Sequence, residues 1–529
     1  MNSFSKEVVD EKQNVLLEKI QVMKDSVGAK RPILGQIMKK HGDDNLFEYT
    51  KDFLDINPNT TTDSRKKELI DVVESVLKDR LGEDVANEVA TQLTRSPLIS
   101  TTDHHGPIDH PFWVNANIIS SLPHFEEELS TKSKYLVVFS FSSVSLNNAS
   151  GYPRGILFHG SHHVNTEMIR LPFFPDKEKM GIVYATRPYT QSDIVRAKEH
   201  LQDYQQDNHV TVEQQTMIMN VICNFFEDQK VMDAHSFAEQ ITIINYLLWP
   251  HLFHSRYSQH KSQTYPSAVP QDLIYIEIET IVASVLCKYH LDNVESLIHK
   301  ALFDNEYREK IQMYFADIPG AFSHDGESGS YLFWGIDKHL HRMRLFLTDG
   351  ILHNLDYSYQ CVWTPESLRN ALEKKEIFPG MILCYLVVSL YYGMKCLGGF
   401  CQVHDLTLTK KAWQEVLRSV GNDCEASAVE SVQTKELGGD GMVLCYLHRS
   451  NGHIVPATGI DMIIHDVDVR PERFLSLAKQ VTLNQIMAPM LPEMYEVLYP
   501  MIERNITLSS LKPEDIVLST GLADILAGT

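Results

Sequence analysis

No two cysteines stand in a CxxC spacing anywhere in this chain of 529 residues. That absence removes the common zinc-knuckle and thioredoxin-type patterns from consideration. The eight cysteines are instead scattered, several of them inside apolar runs, as reduced core thiols are. Cys396 and Cys401 bracket a double glycine and could join a metal site, although packing explains them as well. Long apolar runs are also missing. The strongest, MILCYLVVSLYYGM over 381–394, falls short of the roughly 18 residues a spanning helix needs and reads as a buried core helix. The first twenty residues break their apolar positions with charge, unlike a secretory leader, so a cytosolic location is expected.

Excess positive charge is absent too. With 48 Lys plus Arg against 69 Asp plus Glu, the formal charge of −21 opposes general attraction to phosphate backbones or anionic lipid. Neither nucleic acid nor a membrane is an expected partner. The nucleophile elbow GxSxG does not occur, GESGS at 326–330 lacking its register, and neither GxGxxG nor GxxxxGK[ST] is present.

What the chain does contain is ordinary globular composition, 43% hydrophobic and 22% charged, with two kinds of periodicity. Apolar residues at Leu69, Ile70, Val73, Val76, Leu77 and Leu81 follow the helical period, as do those between 8 and 27, so residues 1–98 form a helical N-terminal region. KYLVVFSFSS at 134–143 is aromatic and β-branched with an unbroken apolar centre, which predicts a strand buried on both faces. GILFHG, EMIRLPFF and MGIVYAT extend the same sheet, giving a β-rich core over about 134–186. Helical patterns fill 190–318. A hairpin turning near Asp337 and Lys338 follows, MVLCYLHR and GIDMIIHDVDV add late strands, and the C-terminus is helical. Strands and helices interleave without a regular βαβ rhythm. The predicted class is therefore α+β, with a central mixed sheet surrounded by many helices in an α+β core spanning 99–529.

The densest chemistry lies in TTDHHGPIDHP, residues 101–111, where Asp103, His104, His105, Asp109 and His110 precede a helix beginning at Pro111 and carrying Asn115 and Asn117. His159, His162 and His163 follow the strand GILF. Imidazole nitrogen and carboxylate oxygen suit zinc, manganese or iron, and two such loops can surround one divalent ion. Asp103, His105, His110 and His159 are the expected metal ligands. His104 is the nearby acid–base group, while His162 and His163 stand behind the ligands or face solvent. The bland alternative is that these histidines sit in a solvated loop and that Asp109 or His110 simply caps the helix.

The triplet Asp103-His104-His105 matches the signature of the DHH phosphoesterases over three residues only. Their upstream strand-borne Asp-x-Asp pair and downstream GGH segment have no counterpart, since GGFCQVH at 398–404 lacks the adjacent histidine. No family follows from it. The helix start at Pro111 offers unpaired amides to an anion, and Arg154, set between proline and glycine, offers a bidentate grip. Any single arginine is equally a surface ion pair. His339 and His341 in the hairpin, and Gln402, His404 and Asp405 after the glycine pair, are lesser candidates that ordinary hairpin and loop geometry also explains.

These features lead to an expected metal-dependent, hydrolase-type enzyme that activates water against a small anionic substrate, phosphorylated or carboxylated, with Arg154 and Asn117 orienting it. Oxygen chemistry at iron uses similar ligands. The alternatives are a metal-free transferase using a histidine general base partnered by Asp103, or a non-catalytic interaction protein.

Overall fold

The computed structural model describes residues 4–57, 60–125, 133–148, 150–160, 168–253, 270–325, 327–449, 452–465 and 467–528. The expected helical N-terminus is observed: α1 (Phe4–Lys30), α2 (Pro32–His41), α3 (Lys66–Leu81) and α4 (Glu83–Arg95) succeed one another before the first strand. Their apolar stripes do not form a core of their own. Met23, Val27, Leu34 and Met38 pack on one side of the main sheet, whereas Leu69, Val73, Val89 and Leu93 pack on the other.

That sheet has four strands: β1 (Leu98–Ser100), β2 (Tyr135–Ser140), β3 (Asp272–Glu277) and β4 (Lys395–Leu397). They lie in the order β4-β1-β2-β3, all parallel. In register, Leu98 faces Lys395, Ser100 faces both Leu397 and Val138, and Tyr135 faces Asp272. Parallel strands are covered on both faces, which is why β2 and β3 read as nearly continuous apolar runs. Alternation sends Leu136, Val138, Leu273 and Tyr275 into one core and Tyr135, Val137, Phe139, Ile274 and Ile276 into the other.

The α+β class expected from the sequence is thus observed, with a different strand membership. The main sheet is parallel, not mixed. Gly155–His159 and Met168–Pro172 are strands, as predicted, but they pair only with each other as a separate antiparallel hairpin. MGIVYAT forms a 3-10 turn at Val183–Ala185, and GIDMIIH forms a helix, Gly459–Ile464, started by a Thr458–Asp461 capping box. Three of the four sheet strands lay in segments read otherwise. β1 and β4 are three residues long, too short for a period-2 pattern, and β3 is a six-residue interruption of a helical region. The remaining strands make small sheets, antiparallel except where Tyr446–His448 pairs in parallel with Ala527–Gly528, and they include the predicted hairpin Phe333–Ile336 with Arg342–Met343. The 381–394 run is helical and buried as expected, passing from an α-helical start into a π-helical turn at Leu386–Tyr391. Among the described residues, no helix is long and apolar enough to cross a membrane.

Strand order fixes where a ligand can enter. The chain steps outward from β1 to β2 to β3, then crosses to the opposite side of β1 to lay down β4. The strand order therefore reverses between β1 and β4, and in sheets of this kind the carboxyl ends of the strands at such a reversal are where a ligand crevice forms. The neighbouring end of β3 is closed by a buried ion pair, in which Arg80 on α3 donates to both oxygens of Glu277 at 2.6 and 2.7 Å, with Thr242 accepting a further bond from the same guanidinium.

Breaking that pair strands a charge in the core. Glu277→Ala is expected to lower the unfolding free energy in urea by about 3–5 kcal/mol, whereas the apolar double replacement Arg80→Met/Glu277→Leu restores most of the loss. A single replacement costing under about 1 kcal/mol would show that the pair is not desolvated in solution.

Candidate functional site

The chain leaving β1 runs beside β2 for one more step, with His104 bridging Phe141, and then turns into α5 (Pro111–Ser121). His110 is the residue before this helix and Pro111 opens it, as predicted, but the His110 side chain makes no capping bond. The six residues after Ser100 are mostly buried, so each polar group among them has to find a partner or a ligand.

Asp103 is fully buried just past the end of β1. Its Oδ1 accepts from the Thr102 hydroxyl at 2.5 Å and its Oδ2 from Asn117 Nδ2 at 2.6 Å. Asn117 spends its second amide proton on the Trp113 carbonyl at 2.9 Å, which leaves its Oδ1 buried with no partner. Burial pushes the Asp103 carboxyl up to about 6, against the opposing hydrogen bonds from Thr102, Asn117 and Tyr275.

The loop after β4 closes the other side. Gly398 and Gly399 carry the chain to α6 (Gln402–Ser419), and Gln402 Nε2 donates to the Thr101 hydroxyl at 2.5 Å, tying the two strand ends together. A third segment, 437–441, lies across α5, where Ser120 donates to the Gly438 carbonyl. It sets the Asp440 carboxylate so close to Gly399 that a Cβ there would stand 2.4 Å from Oδ2. Only glycine fits. Burial, then the negative fields of Asp103 and Glu493, push Asp440 up to about 7. Asp405, on the first turn of α6, is pushed up to about 6 by burial, with Arg31 opposing, and its Oδ1 has no partner.

This end of the sheet thus holds two carboxyls raised toward neutrality, Asp103 by burial and Asp440 by burial and the field of Asp103, beside orphaned buried acceptors on Asn117 and Asp405 and an orphaned His404 Nδ1. Unsatisfied buried polar atoms beside carboxyls of raised pKa make this the candidate site. A cavity of about 790 Å³ opens instead at the amino end of the sheet, walled by Asn87, Glu88, Gln92, Arg95, Lys134 and Tyr135. No buried polar side-chain atom of those walls lacks a partner among the described residues, so it shows none of these features.

The residues expected to hold a metal adopt other arrangements. The two histidine-bearing segments do meet, through the backbone N–H of Leu157, which donates to Asp109 Oδ2 at 2.8 Å. Their imidazoles diverge. His105 is fully buried, and since a carbonyl can only accept, its Nε2 carries the proton donated to Ala238 O at 2.9 Å while Nδ1 accepts from Ser140 Oγ at 2.7 Å. Both nitrogens are committed. His159 donates from Nδ1 to Asp461 Oδ2 at 2.6 Å, and its own backbone N–H donates to Oδ1 of the same carboxylate. His104 and His110 pack against Trp113 with ring centroids at 5.1 and 4.8 Å, and burial drives them down to about 4 and 3, so they are neutral imidazoles. Among the described residues, no three His, Cys, Asp or Glu side chains converge as a metal-binding group.

Arg154 does not face the crevice. Its Nε donates to the Phe174 carbonyl and its guanidinium pairs with Asp176 at 3.0 Å, which fastens the hairpin to the following loop. Asn117 is the predicted orienting residue that does reach the crevice. His162 and His163 lie outside the described residues. His339 and His341 cap a turn around Asp337, away from this region, their backbone N–H groups donating to its carboxylate. Sequence reading did not raise Asp440 or Arg31 and gave Asp405 an ordinary loop explanation. The available signal was the order strand, Gly398-Gly399, helix, which is only visible once KCL is recognised as a strand.

Compared with known proteins, the chain matches no protein-family profile, and no curated protein shows significant similarity to it.

A raised carboxyl pKa costs stability at neutral pH. The penalty at Asp103 is absent below about 4, where both folded and unfolded forms are protonated, and complete above about 6. Asp103→Asn removes it, so the variant is expected to gain on the wild type by up to about 3 kcal/mol as pH rises from 4 to 7. Urea melts at the two pH values check this; a constant difference would place Asp103 in contact with bulk water.

Proposed function

We propose that the chain is a cytosolic, hydrolase-type enzyme that works by carboxylate acid–base catalysis on a small carboxylated substrate in the crevice between β1 and β4. The observation that carries this reading is the placement of Asp103 and Asp440 together at the strand-order reversal of a parallel sheet, beside a buried Asn117 Oδ1 that has no protein partner. The eight unbridged cysteines accord with a reducing compartment.

The roles follow from the environments. Asp103, held by donors on both oxygens, is the group that stays ionised, and it takes a proton from water as the water oxygen attacks the scissile centre. Asp440, the higher of the two, retains its proton near neutrality and delivers it to the leaving atom as that bond breaks. Water's hydrogen and hydroxyl are thereby divided between the products. Asp440 is half-buried and regains its proton from solvent, while Asp103 returns its own. Asn117 Oδ1 accepts from the substrate or from the attacking water.

A second reading, transfer by a histidine general base, is favoured by one observation. His159 is oriented by the buried Asp461 in the manner of a base and its positioning carboxylate, with Asp103 replaced by Asp461 as the partner expected from sequence.

Turnover of a panel of model esters, amides and phosphomonoesters separates these possibilities. On the carboxylate reading, activity follows a narrow bell with its maximum between pH 6 and 7, and falls about 100-fold or more in Asp103→Asn and Asp440→Asn while His159→Gln retains it. Treatment with EDTA leaves it unchanged. Wild-type turnover in Asp103→Asn overturns the carboxylate reading; loss confined to His159→Gln establishes the histidine base; loss in EDTA with recovery on adding zinc or manganese establishes metal dependence; and no turnover of any substrate class supports a non-catalytic interaction protein.

A further inference from the structure

A cavity of about 310 Å³ shares no residue with the crevice. It sits where the helix Asn305–Phe315, the loop over 322–331 and the strand Phe346–Thr348 meet. Phe322 and Gly329 form an antiparallel bridge, and the Ser323 N–H donates to the Ser328 carbonyl at 2.9 Å, so the chain here folds back on itself. Gly329 has φ +78°, and a Cβ there would stand 1.6 Å from the Ala321 carbonyl oxygen, so no side chain fits. Two bonds then fasten this loop to the segment carrying Arg344 and Leu345. The Tyr331 N–H donates to the Leu345 carbonyl at 3.2 Å, and the Leu345 N–H donates to Ser330 Oγ at 2.9 Å. Tyr331 and Arg344 are thereby set on the walls of one cavity.

These two side chains hold buried polar atoms that nothing in the protein satisfies. Tyr331 is 5% exposed, its ring packs against Phe322 and Trp363 at centroid distances of 5.5 and 5.9 Å, and its hydroxyl has no hydrogen-bond partner among the described residues. Arg344 lies over the Phe346 ring at 5.0 Å, and its buried Nη2 likewise has no partner. Asp325, on the adjoining loop, makes no ion pair with it and instead accepts from the Ser323 hydroxyl and from the Glu327 N–H at 2.9 Å. In a chain of net charge −21, no Asp or Glu among the described residues lines this cavity, and Arg344 is the one permanently charged side chain that does. His324, an exposed wall residue, has its Nε2 3.7 Å from the Asp317 carboxylate.

The walls select the ligand. A guanidinium nitrogen can only donate, so the missing partner of Arg344 is an acceptor. One guanidinium balances one negative charge, whereas a phosphate dianion leaves a charge unbalanced where no second permanent cation stands. An ammonium group, as in a free amino acid, has no carboxylate to meet. A carboxylate matches the planar guanidinium fork and keeps lone pairs for a hydroxyl donor. Phe322, Leu345, Phe346 and Leu347 supply apolar surface for the rest of the molecule, and the volume lies at the low end of the roughly 300–1,000 Å³ of small-molecule pockets. We propose that this cavity binds a small monocarboxylate with a compact aromatic or branched aliphatic body, its carboxylate on Arg344 and Tyr331 and its body against the apolar wall. The site is separate from the crevice and stands or falls independently of the reaction proposed there.

The test is calorimetric titration of the full chain with isobutyrate, isovalerate, benzoate and phenylacetate, with the primary amide of each, and with inorganic phosphate. At least one carboxylate is expected to bind, and its amide and phosphate to bind about tenfold or more weakly. Arg344→Gln weakens the carboxylate about tenfold or more and leaves the amide nearly unchanged. Tyr331→Phe keeps the ring and its packing, removes only the hydroxyl, and weakens the carboxylate about fivefold. Circular dichroism and urea melts establish that both variants fold. Should Arg344→Gln fail to fold, Tyr331→Phe and the comparison of each carboxylate with its amide decide the matter in its place. No binding by any of the four carboxylates overturns the proposal. So does an amide that binds as tightly as its acid, or affinity that neither variant changes. Phosphate bound more tightly than every carboxylate overturns the assigned ligand class.

Discussion

A parallel sheet offers apolar side chains to both of its faces, and each face must be roofed before the strands can leave water. In this chain the requirement is met from a distance. One face is covered by α1, α2, α5 and the C-terminal helices, the other by α3, α4 and the helices that follow β3. The result is two cores divided by a four-stranded partition. Its rigidity is what allows the polar loops at the carboxyl end to hold buried carboxyls near neutrality, because desolvation shifts a pKa only where the surroundings do not relax to readmit water.

The crevice and its neighbours differ in how completely polar groups are paired. Both Glu277 oxygens are taken by Arg80, and both His105 ring nitrogens are taken by Ser140 and Ala238. Glu279 is similar, with both oxygens taken by Ser142 and Ser143. A few residues away, Asn117, Asp405 and His404 retain atoms with none. Since an orphaned buried acceptor costs about 1–3 kcal/mol, the contrast within one end of one sheet separates groups whose pairing supports the frame from groups whose burial costs stability.

Much of the fold was legible in the sequence where a pattern ran long enough. The N-terminal helices, β2, the strands at 155–159 and 168–172 and the helix at Pro111 are all encoded by local periodicity or by a proline at the first helical position, though not the separate pairing of those two strands. β1 and β4 were not, because three residues carry no period and their pairing partner lies almost 300 positions away. The candidate site shared this limitation. Asp103 and Asn117 were found because they belong to a dense local cluster. The histidine clustering itself was misleading: His105 and His159 are buried by hydrogen bonding to Ser140, Ala238 and Asp461, none of which is close in sequence. Asp440 had no local mark at all, since what distinguishes it is its burial beside Asp103, more than 300 positions away.

The strand order also governs how the molecule comes into being. As the chain emerges during synthesis, β1, β2 and β3 become available long before β4, which pairs with the outer side of β1. Until residue 397 has appeared, β1 carries an open row of amide and carbonyl groups, a template for unwanted strand addition by another polypeptide. Translation arrested in this interval yields a product whose sheet is sticky and whose crevice has only one wall. Completion of the last strand covers this side of β1, and the segment 437–441 that carries Asp440 follows some forty residues later, so the edge of β1 is covered before the candidate site is complete.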